Sequence, residues 1–127
     1  MKLNYNCVRD LMLYIEDNLE YGYRLYVNEL KLGNYEQQTI VYSADKLYEA
    51  GYIEALKKKT IDSDLPQIEV KAITWEGHQF LDNIRDNKVW ENTKNILSKF
   101  SSVSIGIISN VASQVITNII KSQLGLS

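Results

Sequence analysis

The chain has a single cysteine, a single proline and a single histidine in 127 residues, with only six glycines. One thiol, Cys7, excludes a disulfide framework and any zinc site built from several cysteines, and it fits a reducing compartment. One histidine, His78, without a second ligand of its kind, supports no conventional metal centre and reads more simply as a structural or solvated side chain. No phosphate-cradling glycine loop and no acid-base pair stand out. No enzyme, cofactor or metal is therefore expected. The formal net charge of −2 supplies no global attraction to nucleic acid, leaving only a local patch to do so. No uncharged apolar run reaches the length of a membrane span, and the opening Met1-Lys2-Leu3-Asn4-Tyr5-Asn6 lacks the apolar core of a signal peptide. A cytoplasmic protein without a membrane contact is the expectation.

What is present is a central helix. Ile40, Ala44, Leu47 and Gly51 recur at spacings of four, three and four, which places them on one face of a helix running from Tyr35 through Ala50. The opposite face collects Gln38, Tyr42, Asp45 and Glu49, with Thr39 and Lys46 beside them. Gly51 can take positive φ where that helix stops, and Tyr52 to Leu56 then continues as a strand.

Around this stretch the chain reads in order. Val8, Leu11, Met12, Ile15 and Leu19 mark a first helix, capped by Asn4 or Asn6, with Cys7 packed in its first turn rather than reactive. Alternation from Tyr23 to Leu30 predicts a short strand, and Lys31 to Asn34 a turn. Lys57 to Gln67 is polar, contains Pro66 and breaks periodicity, so it predicts a long hairpin loop. Ile68 to Ile73 alternates strictly and returns as a strand. Thr74 caps a further helix with core residues Phe80, Leu81 and Ile84. Past Arg85-Asp86-Asn87-Lys88 that helix either continues or restarts at a new cap, carrying Trp90, Ile96, Leu97 and Phe100. Trp75 and Trp90 read as core or interface aromatics.

Residues 101–127 differ from the rest, since Lys121 is their only charged side chain. Ile105, Ile108, Ala112, Val115 and Ile119 follow coiled-coil spacing and predict an amphipathic helix with a broad apolar face. Such a face needs cover. A homodimer seam through these five residues is the first expectation, and packing back on the chain's own domain is the second. Interfacial membrane binding is disfavoured by the scarcity of flanking Lys and Arg.

The run from Ile73 to Trp90, together with Asn6 to Leu11, Tyr48 to Ile53 and Lys121 to Leu126, resembles a small uncharacterised bacterial and prophage-associated family, a domain of unknown function. The resemblance implies a winged helix and a mobile-element setting, with no activity or binding residues to carry over. The fold expectation is α+β, mostly α: a winged helix-turn-helix over 1–100 with an extra C-terminal amphipathic helix over 101–127. The shortened segment before the central helix departs from the usual helix-turn-helix.

Two functions follow from different classes. One is a homodimeric regulator of a prophage or mobile element that reads double-stranded DNA with Gln38, Thr39, Tyr42 and Lys46. Lys57, Lys58, Lys59 and Arg24 would grip its phosphates. The other is a protein-interaction adaptor on the same scaffold. The Lys triplet serves a phosphate clamp and an ordinary solvated loop equally well. Against DNA, the central helix carries Glu36, Asp45 and Glu49 against Lys46 alone, a formal −2.

Overall fold

The computed structural model describes residues 1–126. It holds five α-helices and one three-stranded antiparallel sheet, an α+β and mostly helical architecture. Two compact units divide between Gln79 and Phe80.

The first unit opens with α1, Tyr5–Asn18. Of the two candidate caps it is Asn4 that serves, its side chain accepting from the Cys7 N–H at 3.0 Å. Leu11, Met12 and Ile15 are buried, as the spacing predicts. The segment expected to be a strand over Tyr23–Leu30 is one only at β1, Leu25–Tyr26, and then tightens into a 3-10 turn, Val27–Glu29. Asn28 is the physical reason. Its side chain accepts from the Ile68 N–H at 3.0 Å and donates to the Pro66 carbonyl at 2.9 Å, so side-chain bonds replace the strand ladder there.

The central helix, α2, spans Gln37–Glu49 and buries Ile40, Val41, Ser43, Ala44 and Leu47, a broader face than the apolar spacing alone marks. Ser43 is tolerated because its hydroxyl donates to the Thr39 carbonyl at 2.8 Å, which offsets the cost of burying it. At the end of α2, Gly51 has φ of 79°, the Tyr52 N–H donates to the Leu47 carbonyl at 3.0 Å and the Gly51 N–H to the Tyr48 carbonyl at 3.1 Å. That double bond pattern ends a helix on a left-handed residue, and it turns the chain straight into β2, Ile53–Lys58. β3, Gln67–Ile73, lies between β1 and β2 in the order β1-β3-β2. Ile53 pairs with Ile73 and Lys58 with Gln67, with a register irregularity between Glu54 and Ala55; Leu25 pairs with Val70. Ile68, Val70 and Ile53 face inward with Leu25 and Val27.

Thr74 accepts from the Gly77 N–H at 3.0 Å and so caps α3, Trp75–Ile84. Trp75, expected as a core or interface aromatic, is not in the core and is 73% exposed. At 100° per residue it stands about 140° around the helix from Phe80, off the buried face.

The second unit begins within α3, where Phe80, Leu81 and Ile84 are buried. The helix does not run on: Asp86 caps a new one, α4, Asn87–Leu97, by accepting from the Val89 N–H at 2.9 Å. Val89, Trp90, Thr93 and Leu97 are its buried residues, whereas Ile96 and Phe100 are exposed. Thr93 enters this apolar set because its hydroxyl donates to the Val89 carbonyl at 2.7 Å. Ser104 caps α5, Ile105–Gln123, which packs with α4, and Asn83 of α3 donates to the Ser109 hydroxyl at 2.9 Å. The expected C-terminal helix thus shares a compact unit with α4, ahead of the division at residue 100 that composition suggests. Ser127, at the end of that expected segment, lies outside the described residues. Among the described residues no helix is long and apolar enough to cross a membrane.

Candidate functional site

Gln38, Thr39, Tyr42 and Lys46 lie on the outward side of α2, Gln38 exposed and the other three half-buried. Met1 lies over this side. The Gln38 amide nitrogen is 3.5 Å from Met1 Sδ, and the Tyr42 hydroxyl donates to the Met1 carbonyl at 3.4 Å. Lys46 donates to Glu49 at 2.9 Å and sits 5.2 Å from the centroid of the Tyr42 ring. The hydrogen bond to Glu49 raises the Lys46 ammonium above its ordinary pKa, so the charge there is secure.

The remaining candidate cations sit at or near the sheet. Lys57 Nζ is 2.8 Å from Asp45 Oδ1, a carboxylate oxygen shielded from solvent. This is a charge contact without the direction of a good hydrogen bond. Glu69 Oε2, on the central strand, has Arg24 at 3.5 Å and Lys58 at 3.8 Å. Register explains the convergence, since Glu69 pairs with Tyr26 on one side and Leu56 on the other. Lys59 joins Lys57, Asp45, Thr60, Ser63 and Asp64 around a cavity of ≈ 400 Å³ under the hairpin loop. The register divides these contacts between the two faces of the sheet: Lys57, opposite the buried Ile68, reaches Asp45 of α2, while Arg24 and Lys58 meet Glu69 on the other face, so most of the candidate charge is met by carboxylates. The helix repeat puts Asp45 on the outward stripe as a repelling acid but does not disclose its pairing with Lys57, and it gives Glu69 no role. Only the register of three strands reveals that Glu69 reaches both neighbours.

Cys7 is fully buried, with Sγ 3.9 Å from the Thr39 carbonyl, and burial pushes its thiol above the ordinary pKa. It packs α1 against α2. Next to it, Tyr35 donates to Asp10 at 2.8 Å; burial first and the carboxylate second drive its phenol well above the usual tyrosine range. His78 is exposed, on the rim of a ≈ 320 Å³ cavity with Ile15, Leu19 and Ile73 on its wall. Among the described residues no three His, Cys, Asp or Glu side chains converge to hold a metal ion.

On α5 the five seam residues separate. Ile108 and Ala112 are 2% and 0% exposed within the single chain, so that portion of the expected dimer seam is already covered. Ile105 and Val115 are half-buried and Ile119 is exposed. Ile107 and Ile120 join Ile119 as open apolar surface, and Ile116, Ile119 and Ile120 line a groove of ≈ 410 Å³ with Val89, Asp86 and Lys88. The seam residues divide because an apolar face wider than one α4 contact leaves its flank uncovered.

Comparison with known proteins places the chain beside proteins of unknown role. An uncharacterised protein of Haemophilus influenzae (strain Rd) is 29% identical over 121 residues, covering 94% of this chain and 99% of that protein. No solved structure matches. The profile of a family described as "Hypothetical protein (DUF2513)" matches residues 2–104, from the start of the chain to the cap of α5. With the match spanning α1 to α4 and the whole sheet, the chain belongs to the DUF2513 family.

Proposed function

We propose that the first unit is a winged helix and that the protein binds duplex DNA as a homodimeric transcriptional regulator. The observation that carries this reading is topological. The order α1, β1, α2, β2, β3 with strand order β1-β3-β2 sends α2 through Gly51 directly into a hairpin beside it. In this reading α2 is the recognition helix and β2–β3 the wing, while the 3-10 turn at Val27–Glu29 stands where a full helix is usual. Gln38, Thr39 and Tyr42 offer uncharged donors and acceptors for base edges, and Arg24, Lys57, Lys58 and Lys59 offer charge for phosphates. The ion pairs do not forbid this, because partly exposed pairs contribute only about 0–1 kcal/mol and a phosphate can replace such a partner. The setting in a mobile element follows from the family resemblance alone.

The test is anisotropy of a labelled mixed-sequence duplex titrated at several salt concentrations. Wild-type binding is expected to weaken as salt rises. Lys57→Ala, Lys58→Ala and Lys59→Ala combined should lower affinity and make the slope of log K against log salt shallower by about 0.9 for each phosphate no longer neutralised. Absence of binding even at low salt rejects the reading.

A second reading, a protein-interaction adaptor, is favoured by the exposed aromatics Tyr21, Tyr23 and Trp75 and by the balanced charge of the α2 flank. A protein bound through those aromatics would stay bound to the triple lysine variant.

The dimer part of the proposal rests on the apolar surface left open on α5. Ile119→Glu with Ile120→Glu removes that surface without touching Ile108 or Ala112. The mass in solution should fall from dimer to monomer, and a mass unchanged by the substitutions excludes this seam.

A further inference from the structure

Two acids stand among the candidate cations, one on the α2 side of the sheet and one on its other face, where no phosphate-binding surface needs them. Asp45 projects from α2 and Glu69 from the central strand, and between them they meet three of the four candidate phosphate-gripping cations. The asymmetry of burial is informative. The side chains of Asp45 and Glu69 are 17% and 15% exposed, while Lys57, Arg24 and Lys58 are 32%, 44% and 65% exposed. The carboxylates are therefore short side chains fixed on rigid elements, and the cations are long side chains at the rim. A lysine can swing away from its acid, but the acid stays where it is. Any phosphate that engages Lys57 or Lys58 arrives beside a fixed negative charge, in a partly desolvated setting where screening is weak.

We propose that Asp45 and Glu69 are charge masks that hold down the chain's affinity for nucleic-acid phosphates, leaving discrimination to the uncharged side chains of α2. This rests on the DNA-binding reading. Phosphate contacts supply nearly all sequence-independent affinity and carry no sequence information. Pairing three of the cations in advance lowers that contribution selectively, without abolishing it. A site that engages Gln38, Thr39 and Tyr42 is then favoured over the bulk of the duplex. The two masks differ in a way that can be measured, since Asp45 covers one cation and Glu69 covers two.

The experiment repeats the salt-dependent anisotropy titration, with the same mixed-sequence duplex, on Asp45→Asn, Glu69→Gln and the control Glu36→Gln. The control removes the same charge from an exposed position at the start of α2, where no side-chain cap bond is made. Asp45→Asn should tighten binding about fivefold to tenfold near 0.1 M salt and steepen the slope by up to about 0.9, the value for one phosphate fully engaged. Glu69→Gln should steepen it by up to about twice that amount. Adding Lys57→Gln to Asp45→Asn should return the slope to the wild-type value. If wild type binds and both variants behave like Glu36→Gln, the masks are overturned and the DNA-binding reading stands. Failure of wild type and every variant to bind overturns both. Should one acid variant unfold in a thermal melt, the other tests the idea independently, because it releases different cations.

Discussion

Gly77→Ala is expected to lower the thermal midpoint by roughly 10 °C, the consequence of about 3 kcal/mol of overpacking in a chain of this length. In an open helix the sign would be opposite, since alanine is about 1 kcal/mol better than glycine in a helix interior. Here a Cβ would meet the Tyr52 carbonyl oxygen at 2.0 Å, its carbon at 2.9 Å and Ile73 Cγ2 at 2.8 Å. The obstacle is backbone, and it is tied down. The Tyr52 carbonyl accepts from the Thr74 N–H at 3.1 Å, and the Thr74 hydroxyl donates to the Gly51 carbonyl at 2.6 Å. Yielding to a methyl group would break the bonds that join the end of α2 to the start of α3. Calorimetric melts of the two chains decide the matter. An unchanged or raised midpoint would mean that α3 does not start against Tyr52.

Leu47→Ala is expected to cost about 2–5 kcal/mol, read as a lower urea midpoint at unchanged slope. Leu47 is 0% exposed and occupies the last inward position of α2, one turn before Gly51. The cavity left by its side chain is bounded by elements of the first unit that cannot all close on it. The neighbouring Lys46→Ala provides the contrast, since it truncates a partly exposed cation and should change stability by no more than about 0.5 kcal/mol. A loss below about 1 kcal/mol for Leu47→Ala would show that α2 is held by something other than this face. Function depends on this packing, because the inward face of α2 decides how steadily its outward side chains are presented.

Periodicity makes most of the elements legible. Ile40, Ala44 and Leu47 locate α2, the alternation of Ile68 and Val70 locates β3, and Gly51 marks the junction between helix and sheet. Other features are hidden, each for its own physical reason. Asn28 removes the second half of the expected strand by bonding to Ile68 and Pro66, some forty residues on. Ser43 and Thr93 count as polar in any pattern, yet each satisfies its hydroxyl on the carbonyl four residues back and is buried. The chemistry of Trp75 argues for a core or an interface, and its angular position on α3 rules out the core. In the candidate site, the outward residues of α2 follow from the helix repeat alone. The pairing of Lys57 with Asp45, and of Arg24 and Lys58 with Glu69, depends on helix placement and strand register that one sequence does not encode visibly.

Asn28 also governs how the first unit can come apart. Its side chain joins the root of the hairpin at Pro66 and Ile68, and its carbonyl accepts from the Gln37 side chain at the first residue of α2. The root of the hairpin and the leading turn of α2 are thus fastened to the same residue. Opening either one to solvent breaks bonds to Asn28, so this one residue contributes to the local stability of both. Beyond Thr60 the loop is fastened instead to itself, through the Thr60 hydroxyl donating to the Ser63 and Leu65 carbonyls.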